Sequence, residues 1–468
     1  PPAPPYREPA TMMPSLSQTL ADHVTSTRFE DLPADAVSVT KWFLLDTLGV
    51  AWAGTEAPGT EALRQLVFSE GGSPDCTVFG SDIRLPATAA ALMNGTYAGA
   101  LDYDGVYEKG SVHPDIVTLP AAWAVAERRR ASGKEFLTAM ALGNDISCRS
   151  GGAMAGNRGW FNTAVHGVFG GAAAAAKLLE LDAEGTTNAI GLAFSQAAGA
   201  QQAVVEKSLV KRMLSGMTAQ SSVFAALAAE KGLTAPRRAF EGKFGFYTLY
   251  GEGDAQALVA DLGERYENAV TVTKKYPSCT ANHVAIQGAV ALADEFDLGA
   301  DDVTGAEVVI SPFMNQLVGA DWDPGDNPQV TAQFSIQYSI ACAVARRKLG
   351  IAEIQENVIF DPLINDLADK VTVSVNDDWP GKFAPCELTI HTAKHGALTR
   401  RVDHTPGTPE NPLSLDDLKA KFHDCVAAGV APMTPGQADV LIDKVLSLEK
   451  VADMATFFDE APMATGAE

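Results

Sequence analysis

The chain lacks most of the signatures that assign a function at sight. Its six cysteines, Cys76, Cys148, Cys279, Cys342, Cys386 and Cys425, are scattered with no C-x-x-C pair. That spacing argues against a zinc module and a dense disulfide framework, and leaves idle thiols in a reducing, cytoplasmic setting. No H-E-x-x-H and no G-x-S-x-G occurs, which removes a zincin and a nucleophile elbow. The Gly-Lys pairs at Gly133-Lys134, Gly242-Lys243 and Gly381-Lys382 never precede Ser or Thr, so no phosphate loop is present. Basic residues are few: 35 Lys and Arg face 58 Asp and Glu, a formal net charge of −23. Such a balance argues against a nucleic-acid binder and against docking on an anionic membrane. No run of 18 apolar residues exists, so no membrane span is expected. The proline-rich residues 1–14 have neither the order of a signal peptide nor the arginines of a transit peptide, and are expected to form a disordered arm.

What is present is a globular composition, 46% hydrophobic and 20% charged, over 468 residues, enough for two domains. From Ser15 to Leu258 the apolar spacing is helical. Helices are expected at Ala36–Ala51, Pro86–Ala100, Leu119–Ala131, Gly133–Ser147, Gly167–Leu181 and Thr186–Ala200. Gly167, Gly170 and Gly171 before Ala172–Ala176 suit a tightly packed central helix. No strands alternate with these helices, so a Rossmann fold is not expected. Beyond residue 265 the texture changes. Strands are expected at Ala269–Lys274, Gly305–Ser311, Lys370–Val375, Ala384–His391 and Leu398–Val402, the last two as a hairpin turning at His395-Gly396. Helices intervene at Asn282–Phe296 and Gln333–Arg347, and the helical pattern returns at Ser414–Ala428 and Thr434–Phe458. The expected fold is therefore mainly α with an inserted α+β domain. A large all-helical domain would span 15–268 and 406–468, with a smaller lid over 269–405. A cleft between two such domains is a natural ligand site.

Chemistry concentrates in the stretch from Ala100 to Pro114. It holds Asp102, Asp104, Tyr107, Glu108, Lys109 and His113, one of only eight histidines, between two helical runs. Gly105, Gly110 and Pro114 break regular structure, so these groups sit on a loop held by rigid neighbours; Asp and Gly are also ordinary loop residues. Two cationic pairs stand out from the acidic background, Lys211-Arg212 and Lys274-Lys275, the second followed by His283. Adjacent cations repel, and a polyanionic ligand would relieve them; a solvated face is the plainer account. His166 without a partner reads first as a packing histidine, and His391, His395, His404 and His423 read as surface groups.

Taken in order, several segments resemble the MmgE/PrpD family. They are Leu44-Leu45-Asp46-Thr47-Leu48-Gly49, Leu101-Asp102-Tyr103-Asp104, His113-Pro114, Leu119-Pro120 and Gly159-Trp160. The glycine-alanine run from Gly167, Val210-Lys211-Arg212 with Gly216, Lys274-Lys275-Tyr276-Pro277 with His283, and Gln333-Phe334-Ser335-Ile336-Gln337-Tyr338 complete the set. The family includes 2-methylcitrate dehydratase, cis-aconitate decarboxylase and iminodisuccinate epimerase. The resemblance implies a helical domain with an α+β lid, a homodimer, no metal or organic cofactor, and a small polycarboxylate substrate. It also implies that Asp102, His113, Lys211, Lys274 and Tyr338 are catalytic. Lys275, Arg212, Tyr107, His166 and His283 are placed as substrate-binding candidates. Lys211 and Lys274 would hold carboxylates and spread developing charge. His113 would act as general acid or base, oriented by Asp102, with Tyr338 giving a proton or hydrogen bond.

Two departures from the family pattern bear on the reaction. Many members carry His where this chain has Phe161, and His where it has Leu214. His166 cannot replace the first, since five residues along a helix turn a side chain through about 500°. A lyase of the methylcitrate or aconitate type is the leading expectation. A smaller or less charged substrate, a dicarboxylate epimerase and a catalytically silent carboxylate binder are the alternatives.

Overall fold

The computed structural model describes residues 14–156 and 158–464. The arm expected over residues 1–14 falls, except for its last residue, outside the described residues. The first half of the chain is a stack of helices. They include α1 (Ala34–Gly54), α2 (Ala87–Gly99), α3 (Asp115–Arg129), α4 (Gly133–Gly152), α5 (Asn162–Leu178) and α6 (Val210–Glu230). Ser132 starts α4 with a capping box: its hydroxyl accepts the Glu135 N–H while the Glu135 carboxylate accepts the Ser132 N–H. Helix α3 begins four residues before the expected Leu119, and Pro120 lies inside it at the cost of one intrahelical hydrogen bond.

Helix α5 is buried almost throughout and packs on α3, α4 and α6. A Cβ at Gly170 would collide with the Gly143 carbonyl and the Ser147 hydroxyl, so glycine is required where α4 and α5 touch backbone to backbone. The central helix expected from the glycine-alanine run is thus present.

The second half builds a four-stranded sheet from β1 (Val303–Ile310), β2 (Val371–Val375), β3 (Cys386–Thr392) and β4 (Gly396–Val402). The order is β2-β1-β3-β4, with β1 and β2 parallel and the other pairs antiparallel. Alternate residues of β3 are buried, the period-two pattern of a sheet with one covered face. The core around the sheet includes apolar residues of α7 (Thr280–Phe296) and α8 (Ile336–Arg346). Afterwards α9 (Leu415–Ala427) and α10 (Pro435–Leu446) pack against α1. No helix among the described residues is long and apolar enough to cross a membrane.

Three expectations differ from what forms. Ala269–Lys274 is no strand: Glu267–Val270 is a 3-10 turn, and Val272 makes a single bridge to Val106 through two hydrogen bonds of 2.9 and 2.8 Å. The alternating Val and Thr had strand propensity but only one residue's worth of partner. The expected helix 333–347 breaks after Gln333, because the Ser335 hydroxyl caps a new helix by accepting the Tyr338 N–H at 3.2 Å. The last expected helix ends at Leu446 rather than Phe458 and gives way to two short 3-10 turns.

Candidate active site

The loop between α2 and α3 turns sharply at Asp102, whose φ of +52° lies in the left-handed region that few side chains other than Asn and Asp adopt readily. Its buried carboxylate meets two ammonium groups. Lys211 Nζ, from the first turn of α6, lies 2.7 Å from Oδ1. Lys274 Nζ lies 3.0 Å from Oδ2 and also donates to the Asp102 carbonyl at 2.7 Å. The Val106–Val272 bridge delivers Lys274 to this place. Burial alone would raise the Asp102 pKa, but the two lysines outweigh it and hold the carboxyl well below its usual range. Burial likewise pulls Lys274 down, and Asp102 and Asp104 more than compensate, so its ammonium is firmer than normal.

Two residues on, Asp104 Oδ2 lies 2.6 Å from His113 Nδ1. Asp104 is buried, which would raise its pKa, yet the imidazole beside it brings the carboxyl below its ordinary value. With Nδ1–H committed to that carboxylate, Nε2 is the nitrogen left for a substrate. The His113 backbone N–H donates to Thr163 Oγ1 at 3.2 Å, fixing the loop to the start of α5. From below, the Lys421 ammonium of α9 faces Asp46 of α1 at 2.6 Å and donates to the carbonyls of Tyr103 and Lys274 at 2.7 and 2.8 Å. One cation thereby fastens both chain segments that carry the site.

Above these groups opens a cavity of about 510 Å³ between the helical and the α+β parts. Asp102, His113, Lys211 and Lys274 line it, joined by Lys109 and by Lys382, which reaches over from the segment before β3 and donates to the Glu108 carbonyl at 3.1 Å. The starts of α5 (Asn162, Thr163) and α7 (Thr280) also face it, and helix N-termini favour anions. Four lysines and one carboxylate therefore surround a space in a chain of formal charge −23. No grouping of three or more His, Cys, Asp or Glu suited to a metal ion occurs among the described residues.

The structure brings together Asp102, His113, Lys211 and Lys274, and puts the other candidates elsewhere. Asp104, not Asp102, orients His113; Asp102 instead joins the two lysines. Tyr338 is fully buried, donates its hydroxyl to the Glu353 carbonyl and packs on Trp322, so it does not reach the cavity. Arg212 turns away from Lys211 to bind the Pro58 carbonyl at 2.9 Å and Gln329 at 2.8 Å, and burial lowers its pKa to about 10. Lys275 lines a different hollow, with Glu56, Tyr103 and Glu353. Tyr107 donates to Glu267 at 2.7 Å, outside the cavity lining. His166 meets Ser150 at 2.8 Å and lies edge-on to Phe246; burial pushes its pKa down to about 3. His283 contacts the Ser278 carbonyl at 3.3 Å beneath the site, its pKa lowered to about 3 chiefly by burial. Of the two departures, Phe161 faces the cavity while Leu214 does not.

Residues 18–258 match the description "MmgE/PrpD N-terminal domain", and residues 276–448 match "MmgE/PrpD C-terminal domain". The chain is similar to a cis-aconitate decarboxylase-like protein, oryM, of Aspergillus oryzae, with 24% identity covering 94% of this chain and 96% of that one. It is similar to the cis-aconitate decarboxylase of Aspergillus terreus at 25% identity, covering 92% of each. The cis-aconitate decarboxylase of Homo sapiens is 27% identical over 94% of this chain and 93% of that protein.

Proposed function

The chain belongs to the MmgE/PrpD family, and from that premise we propose that it is a lyase that decarboxylates or dehydrates a polycarboxylic acid of the aconitate or methylcitrate type. The observation that carries this reading is the four-lysine cavity around His113 in a strongly acidic chain. Carboxylates of the substrate sit against Lys211, Lys274 and the entrance lysines. In decarboxylation the bond to the departing carboxylate breaks and its electron pair moves into conjugation with a neighbouring carboxylate. The ammonium groups stabilise that charge. The His113 imidazolium then donates its Nε2 proton to carbon, and carbon dioxide leaves. In dehydration neutral Nε2 takes the proton beside a carboxylate and the carbon–oxygen bond breaks with its pair. The departing hydroxide takes that proton back from the imidazolium, so water leaves. Asp104 holds the imidazole in place through either cycle.

An NMR screen of citrate-like acids in deuterated water tests the reading, because it reports exchange, dehydration and decarboxylation together. Turnover that disappears in His113→Ala supports it; equal turnover in that variant overturns it. Phe161, at a cavity position where many members carry His, favours a second reading, a dicarboxylate epimerase. Deuterium entering substrate with no loss of water or carbon dioxide would select that one.

The same proposal divides the chain into a helical domain, 15–268 with 406–468, and a lid over 269–405. The packing of α9 and α10 on α1 supports it. It also includes a homodimer. Val210, Met217 and Phe224 are 41, 45 and 52% exposed and recur every seven residues along α6, an apolar stripe suited to a partner helix. Light scattering should give twice 49.2 kDa, and a monomer mass would overturn that part.

A further inference from the structure

The cavity has a second character that the lysines conceal. Phe161, Phe313, Leu317, Phe334 and Phe383 line it too, and four of these five come from residues 313–383, the part that faces the charged loop across the cavity. Phe334 begins next to the reactive centre, its ring 6.0 Å from Lys211 Nζ. The break between Gln333 and Ile336 is what frees this residue from a helix and lets it face the cavity. Farther out, Phe313 and Phe383 meet edge to face at 5.6 Å, with Leu317 one helical turn from Phe313. Phe313, Leu317 and Phe334 are only partly covered, so apolar surface remains turned toward the cavity. An acid such as cis-aconitate carries a carboxylate on each branch and would desolvate one of them against such a wall. It would also leave much of the space unfilled, since a cleft of about 510 Å³ accommodates a drug-sized ligand.

We propose that the substrate is a polycarboxylate bearing a hydrophobic substituent of several carbons, an alkyl chain or an aryl-alkyl group. Its carboxylates lie on Lys211 and Lys274, and its substituent runs along Phe334 toward Phe313, Leu317 and Phe383. Phe161 belongs to the same adaptation: an imidazole there would add a polar group beside the chain. This inference rests on the lyase reading for its reaction, but not for its binding geometry.

The test uses the full chain and one homologous series, aconitate and citrate cores carrying hydrogen, methyl, propyl, hexyl or benzyl. Turnover is followed by NMR and affinity by calorimetry. The expected result is a kcat/KM that rises roughly threefold per added methylene until the cavity is filled. In Phe313→Asn and in Phe334→Ala the ratio of kcat/KM for the hexyl over the methyl acid should fall about tenfold. A kcat/KM that is highest for the unsubstituted acid overturns the inference and leaves the lyase reading standing. Affinity that rises with chain length in the absence of any turnover does the reverse: the lyase reading falls and the hydrophobic-substituent site remains. Neither turnover nor chain-dependent affinity removes both.

Discussion

Asp102 and Asp104 are two residues apart in one buried loop, and the regions around them work in different ways. The Asp102 region is two ammonium groups on one carboxylate, at 2.7 and 3.0 Å, with the carboxyl held well below its usual range and Lys274 above its own. The Asp104 region is one carboxylate on an imidazole at 2.6 Å, a ring that can both take and give a proton. In the proposed mechanism the first is a fixed electrostatic platform and the second a proton carrier. Placing both on one loop gives a developing negative charge and the proton that quenches it a common frame of reference.

Breaking the proton carrier should cost most. His113→Ala is expected to lower kcat by about 10³-fold or more, with some loss of melting temperature because Asp104 is left buried without its imidazole, as measured by NMR turnover beside thermal unfolding. Breaking the platform should damage stability as well as rate. Lys274→Met leaves Asp102 buried with one partner fewer, and should cost about 3–5 kcal/mol in urea unfolding. Lys211→Met, at a site more open to water, should cost less stability for a similar loss of turnover. If the two lysine variants unfold alike, the platform is not anchored at Lys274. Asp104→Asn sharpens the contrast: kcat should fall about 10²-fold and the pH–rate profile should change shape. A parallel drop at every pH would reduce Asp104 to packing.

The smallest effect concerns the opposite pH responses of two buried carboxylates, Asp102 and Asp115. Asp102, held below the usual range, contributes stability that is complete above about pH 4 and fades as pH falls through its lowered pKa. Asp115 behaves in the opposite sense. Burial, reinforced by Asp46 and Asp104 and opposed by the hydrogen bond from Asn144, pushes it up to about 7. Its contribution is complete below about pH 4 and is lost as pH rises through 7. Asp115→Asn should therefore gain stability over the parent at pH 8, by a few kcal/mol at most, with the difference shrinking toward pH 4. An unchanged difference across that range would show that Asp115 does not titrate there.

The sequence made some of this legible and hid the rest for identifiable reasons. Helices α1 to α5 could be read because their apolar spacing agrees with their packing, and Gly170 even announced a backbone contact. Asp102, His113, Lys211 and Lys274 could be named because the segments that carry them resemble the MmgE/PrpD pattern. Which aspartate serves which partner could not, since the answer depends on the left-handed turn at residue 102. Adjacent cations looked like joint ligands, but neighbouring helical residues point about 100° apart, so Lys211 and Arg212 cannot share a target. Tyr338 looked available until the Ser335 cap set the phase of α8 and turned the ring onto Trp322. Lys382 carried no local signal, because only the tertiary fold brings it to Glu108.

Lys421 sets an order of events for this chain as it is made. Tyr103 lies 318 residues earlier and Lys274 147 residues earlier, yet both carbonyls wait on that one ammonium. A nascent polypeptide can pair its early helices while synthesis continues, and Thr163 and Lys211 can already hold the loop, but Tyr103 and Lys274 lack their shared cation until α9 emerges and docks on α1. The loop therefore receives this tie only after the helices and the sheet around it have been made.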